Sequence, residues 1–122
     1  MRKKISIIKT NNVNEDALLL YTEPSIALDH LRATGQMLVD SDGLSFIYLT
    51  ENADEYTYIS ISDGVWNDLK KAMDLNMPVY VSNEKDTLEL VNFLEELSYL
   101  IENIKGNSNY GEEMVAKVES IF

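Results

Sequence analysis

The chain has 122 residues, long enough to bury a core without covalent staples. It has no cysteine, which excludes disulfides, thiol nucleophiles and thiolate zinc centres together. Asp and Glu number 21 against 10 Lys and Arg, a formal net charge of -11 that repels phosphate backbones and argues against nucleic acid as a partner.

Arg2, Lys3 and Lys4 resemble the basic start of an export signal, but the apolar run behind them covers only Ile5 to Ile8 and is broken by Ser6. That is too short for an h-region, and no segment approaches the roughly 20 apolar residues of a membrane span. A cytoplasmic protein with no membrane partner is expected. Ile5 to Ile8 predicts a short strand, and Asn11, Asn12 and Asn14 the turn after it. Ala17 to Thr22 is apolar on both faces, with Leu18 and Leu20 on one and Leu19 and Tyr21 on the other. This predicts a central strand, closed by Pro24. Ser25 to Arg32 reads two ways, as a strand from the alternation of Ile26 and Leu28 or as a helical turn from Leu28, Leu31 and Arg32; a short strand and then a loop ending at Gly35 is the favoured reading.

Met37 to Val39 and Leu44 to Thr50 are predicted strands around Asp40-Ser41-Asp42-Gly43. Asp-Gly is the hairpin signal there, because glycine accepts the positive φ of a primed turn. A calcium loop fails the same stretch, since counting from Asp40 puts Ser45 where the glycine belongs. Tyr56 to Ile61 alternates, with Tyr56 and Tyr58 on one face and Ile59 and Ile61 on the other. Ser62-Asp63-Gly64 opens a helix whose apolar face holds Val65, Trp66, Leu69, Ala72 and Met73, so Trp66 reads as core.

Pro78 precedes a strand over Val79 to Val81, and Asn83 to Asp86 turns into Leu88 to Leu90. Leu90, Leu94, Leu97, Ile101 and Ile104 then recur at helical spacing, and Gly106 sits where a left-handed C′ residue belongs. A last helix carries Met114, Val115, Val118, Ile121 and Phe122. The sum is a single α+β domain over 1–122: a mostly antiparallel sheet with three helices, the last two forming a C-terminal helix pair.

No residue set amounts to a catalytic signature, so no catalytic residue, metal ligand or cofactor is assigned. His30 is the only histidine, and no strained nucleophile turn accompanies it. Glu95 with Glu96 and Glu112 with Glu113 are adjacent on helices, where neighbours diverge by about 100° and do not converge on one substrate. A hydrolase would need a pocket holding two acidic side chains.

The leading expectation is a non-enzymatic interaction protein, an adaptor or regulator that meets a protein partner, or a second copy of itself, through an acidic surface. Its candidate interface residues are Tyr56 and Tyr58, apolar rings with polar tips, and Ile121 and Phe122, which end the last apolar stripe. The alternative is a small-ligand or nucleotide-binding domain that uses the Gly106–Gly111 corner, with Asn107, Asn109, Tyr110 and Gly111 as binding residues. Helix N-terminal amides favour anions, but Glu112 and Glu113 share that end, and Asn109 with Glu112 has the spacing of a capping box.

Leu38-Val39-Asp40-Ser41-Asp42, Leu44-Ser45-Phe46, Trp66, Glu102-Asn103-Ile104, Gly106-Asn107 and Asn109-Tyr110-Gly111-Glu112 together carry a resemblance. The chain resembles, along its whole length, an uncharacterised family of small acidic proteins from Gram-positive bacilli and staphylococci. It departs at Gly43, where the family has Asn; both residues accept positive φ. The resemblance implies a cytosolic bacterial protein with no assigned activity or catalytic residues.

Overall fold

The computed structural model describes residues 3–53 and 55–122. Two strands open it, β1 (Lys3–Ser6) and β2 (Lys9–Val13), as stretches of one extended run that changes sheets between them. At the change, the Ile7 amide donates to the Ser60 carbonyl at 3.0 Å and the Ile8 amide to the Tyr21 carbonyl at 2.8 Å. There follow β3 (Ala17–Tyr21), β4 (Arg32–Asp40), β5 (Ser45–Glu51), β6 (Tyr56–Ser62), α1 (Trp66–Leu75), β7 (Val79–Ser82), β8 (Thr87–Glu89), α2 (Phe93–Ile104) and α3 (Glu112–Ile121). One sheet has the order β1-β6-β5-β4 and the other β2-β3-β7-β8. Within each sheet one pair is parallel, β1 with β6 and β3 with β7, and the remaining pairs are antiparallel. The α+β class, the mostly antiparallel pairing and the C-terminal helix pair are as expected, but the strands divide over two sheets.

Three local expectations are corrected. Asn11 and Asn12 lie inside β2, opposite Leu19 and Leu18, and the turn comes later at Asn14 and Glu15. Both take positive φ (53° and 59°), and the Asp16 amide closes on the Val13 carbonyl at 2.9 Å, the geometry of a primed turn. Residues 25–31 form a loop rather than a strand, anchored by the buried Leu28 and Leu31. The strand begins at Arg32 and runs through Gly35, because a register shift between Ala33 and Met37 absorbs the glycine.

In the hairpin after β4, positive φ falls on Leu44 (46°) and not on Gly43. Gly43 serves another need. Its amide donates to Asp40 Oδ1 at 3.1 Å, and a Cβ there would stand 2.6 Å from Asp40 Oδ2. Absence of a side chain lets the carboxylate close over the turn.

A single apolar cluster joins both sheets to all three helices. Phe46, Tyr48, Ile59 and Ile61 enter it from the first sheet, and Leu18, Leu20, Val79 and Val81 from the second. Trp66 lies at its centre, 0% exposed, its Nε1 donating to the Ile61 carbonyl at 3.1 Å. Its ring centroid is 4.8 Å from that of Phe46 and 6.0 Å from that of Phe122. Trp66 is core, as its place on the helical stripe predicts.

Candidate functional site

Between α2 and α3 the chain turns a corner. Gly106 takes φ 70°, the left-handed position expected of it, and its amide donates to Glu119 Oε2 on α3 at 2.9 Å. Asn107 Oδ1 accepts the Asn109 amide at 3.1 Å, and its Nδ2 donates to the Asn103 carbonyl at 3.2 Å. The cap is therefore Asn107, on a 3-10 turn over Ser108–Tyr110. The predicted Asn109–Glu112 box does not form. Gly111, at φ 91°, directly precedes α3 and has no side chain to cap it. Its amide donates to the Ser108 carbonyl at 3.0 Å, while Tyr110 packs against the core. Asn107, Asn109, Tyr110 and Gly111 do share one corner, with the Asn107 side chain and the Gly111 amide already closed on the chain itself.

The four candidate interface residues separate into two places. Met114 and Val118 of α3 are buried, and Val115, Ile121 and Phe122 pack against the same core. The Phe122 ring meets Phe46 edge-on, with centroids 6.2 Å apart. One chain covers the last apolar stripe, so Ile121 and Phe122 complete its own core.

Tyr56 and Tyr58 stand on a different surface. Along β5, Phe46, Tyr48 and Thr50 face the core, whereas Ser45, Ile47 and Leu49 face the other way. Ile47 and Leu49 are buried yet lie outside the core cluster. Register places Leu38 and Ser60 on either side of Ile47, and Tyr58 beside Leu49. The helices approach from the opposite side, through the Phe46–Trp66 contact and a stack of Tyr48 on Phe93 at 6.0 Å. The outcome is an outer sheet face with an aliphatic and aromatic strip along it. Leu38 is 44% exposed and Tyr56 51%. The strip has polar ends: the Arg32–Glu51 pair at 3.0 Å on one side, and Asp40 at the hairpin on the other.

Two of the clefts on the surface bear on a small-molecule site. The first, about 280 Å³, lies at the start of α2 and includes Glu89 and Glu95. Carboxylates that do general acid–base work are held in apolar burial. Among the described residues no Asp or Glu is buried, and Glu89 is exposed. The second cleft, about 370 Å³, lies beside the first residues of β1 and β6. Among the described residues no three His, Asp or Glu side chains gather where a metal could sit, and no helix is long and apolar enough to cross a membrane.

The model of a family of unknown function, UPF0738, matches residues 6–122. The chain belongs to the UPF0738 family. A UPF0738 protein of Bacillus pumilus is 43% identical over 122 residues, covering 100% of this chain and 99% of the relative. The UPF0738 protein YjbL of Bacillus subtilis is 41% identical, with 100% and 99% covered, and a UPF0738 protein of a Geobacillus species is 38% identical, with 100% and 98% covered. No solved structure matches the chain.

For this UPF0738 chain, two sets of residues carry too little local signal to be read from sequence. Leu38 reads only as a strand residue. Counting register back from the hairpin sets it beside Ile47, on the Tyr58 side of the sheet. Lys3, Lys4, His30 and Thr57 are among the residues that line the second cleft. Their only signal is the basic start of the chain.

Proposed function

We propose that this chain is a non-enzymatic interaction domain that docks a protein partner on the outer face of the β1-β6-β5-β4 sheet. The observation that carries the reading is the strip turned away from the chain's own core and helices, in which Leu38 and Tyr56 are exposed, Tyr58 half-buried, and Ile47 and Leu49 packed beneath them. An apolar centre with aromatic rings and a polar edge is the anatomy of a protein interface. Scattered single apolar residues need no explanation, but an aligned group does. The net charge of -11 selects a partner whose contact surface surrounds apolar side chains with Lys and Arg. This reading is of a cytoplasmic adaptor or regulator.

The test is retention of proteins from a Bacillus subtilis lysate on the immobilised chain, compared with the double variant Leu38→Glu, Tyr56→Ser. Both positions are exposed, so the variant is expected to keep its stability to within about 0.5 kcal/mol. A partner held by the wild type, lost from the variant and weakened by salt is the expected result. Equal retention by both proteins would contradict the assignment of this face.

A further inference from the structure

β3 is apolar on both sides, the pattern of a strand covered on each face, but the chain covers only one. Leu18 and Leu20 enter the core, and α1 lies on that side, where the Thr10 hydroxyl of β2 donates to Asp68. Leu19 and Tyr21 point the other way, half-buried and outside the core cluster. Register sets Tyr80 beside Leu19, and Val13 beside Ala17, on the same outer face. Val13 is 37% exposed, and Ile8, whose amide donates to the Tyr21 carbonyl, is 52% exposed. None of these side chains joins the core, so together they form an aligned apolar and aromatic patch.

Charge on this face is balanced, although the chain as a whole carries -11. Among its outward strand residues only Lys9 and Glu89 are charged, and they stand at opposite margins of the sheet. Lys9 is paired across β2 and β3 with Tyr21, and its Nζ lies 5.1 Å from that ring's centroid. Glu89 is paired across β7 and β8 with Tyr80. Strands spaced about 4.8 Å apart put the two charges roughly 15 Å from each other, too far to pair within one chain. Among the described residues neither has an ion-pair partner. A chain of this charge repels its own copies, and this face is free of the acidic excess that does so.

We propose that two copies of the chain pack face to face on this surface, related by a two-fold axis that runs along the strands. That operator turns β2 of one copy over β8 of the other and brings each Lys9 toward Glu89 of the second copy. At the centre it sets Leu19 of β3 over Tyr80 of β7. It also sends the acidic turn at Glu15 and Asp16 and the hairpin over 83–86 to different corners, so neither meets its counterpart. A two-fold across the strands would instead lay β2 on β2 and leave both charges unpaired. The face is four strands wide and three to five residues long, a small contact, so dissociation at micromolar concentrations is expected. It uses none of the residues of the β1-β6-β5-β4 docking face, and the two assignments stand or fall separately.

Sedimentation equilibrium of the whole chain, from about 1 µM to about 1 mM, is expected to show a reversible monomer–dimer equilibrium. Lys9→Glu and Glu89→Lys each place like charges across the contact and are each expected to weaken the dimer at least about tenfold. The protein carrying both changes restores the pairing in reverse and is expected to recover wild-type affinity to within about threefold. Both positions are exposed, so this recovery separates a contact from a folding defect. Leu19→Lys, at the centre, is expected to leave monomer throughout, whereas Leu38→Glu with Tyr56→Ser, on the other sheet, is expected to leave the dimer unchanged. A wild-type chain that stays monomeric would overturn the proposal. So would single charge variants that dimerise like wild type, a double swap that does not recover, a Leu19→Lys dimer, or a dimer lost with the Leu38 and Tyr56 changes.

Discussion

Replacing Trp66 with alanine is expected to destabilise the chain by about 4 kcal/mol, a large part of a small domain's total stability. The size follows from position. Trp66 is 0% exposed and touches Phe46 of the first sheet and Phe122 at the end of the chain, so its removal opens a cavity where three elements meet. It also leaves the Ile61 carbonyl without its indole partner. Urea denaturation followed by circular dichroism measures the effect, since Trp66 is the only tryptophan and the variant loses its fluorescence. Trp66→Phe separates the two causes: it keeps an aromatic ring and loses the hydrogen bond, and is expected to cost about 1–2 kcal/mol. A Trp66→Ala cost near zero would mean that α1 does not close this core.

The second large effect is at Tyr48, whose ring stacks on Phe93 and whose hydroxyl ties β4 to the start of α2. That hydroxyl accepts the Gly35 amide at 3.0 Å and donates to the Val91 carbonyl at 2.7 Å. Tyr48→Phe strands both backbone groups and is expected to cost about 2 kcal/mol. Gly35 is fixed by the same contact: it takes φ 78°, and a Cβ there would lie 2.9 Å from the Asn92 side-chain nitrogen. Gly35→Ala is expected to cost about 1–2 kcal/mol from the left-handed backbone alone.

Tyr48 also gives a pH signature. Burial raises its pKa above 10.0; the Gly35 hydrogen bond opposes this, and the charges of Glu89 and Glu96 add to it. A phenol with a raised folded pKa contributes stability that is present below the unfolded value and lost as pH climbs from there through the folded value. Wild type should therefore lose stability from about pH 10 upward more steeply than Tyr48→Phe. Parallel alkaline profiles for the two proteins would show that Tyr48 is not held as described.

Strong periodicity makes the centre of this fold legible. α2 follows from the spacing of Leu97, Ile101 and Ile104, β6 from alternation, and β5 from a run of apolar and aromatic strand formers that is buried at six consecutive positions. β2 is hidden because Lys9-Thr10-Asn11-Asn12-Val13 has no apolar alternation; it is an edge strand, held by backbone pairing to β3. The parallel pairings of β1 with β6 and β3 with β7 join segments far apart in sequence, and no local pattern reports them. The corner at Asn107 shows a different limit. Two asparagines are available as caps, and only the path of the backbone decides between them.

The sites follow the same logic. Tyr56 and Tyr58 are readable as a shared face because strand alternation fixes it. Leu38 joins them only through pairing across β5. The second cleft draws on β1, β6 and a loop, three stretches that no motif connects.

Photocrosslinking in living Bacillus cells tests the outer sheet face whatever the identity of the partner. A photoreactive amino acid is placed at position 38 in one protein and at position 99, where Tyr99 is 65% exposed on α2, in another. Position 38 is expected to give a discrete adduct with a second, different protein, and position 99 none. No adduct at 38, the same adduct from both positions, or an adduct with only another copy of this chain would contradict the proposed docking face.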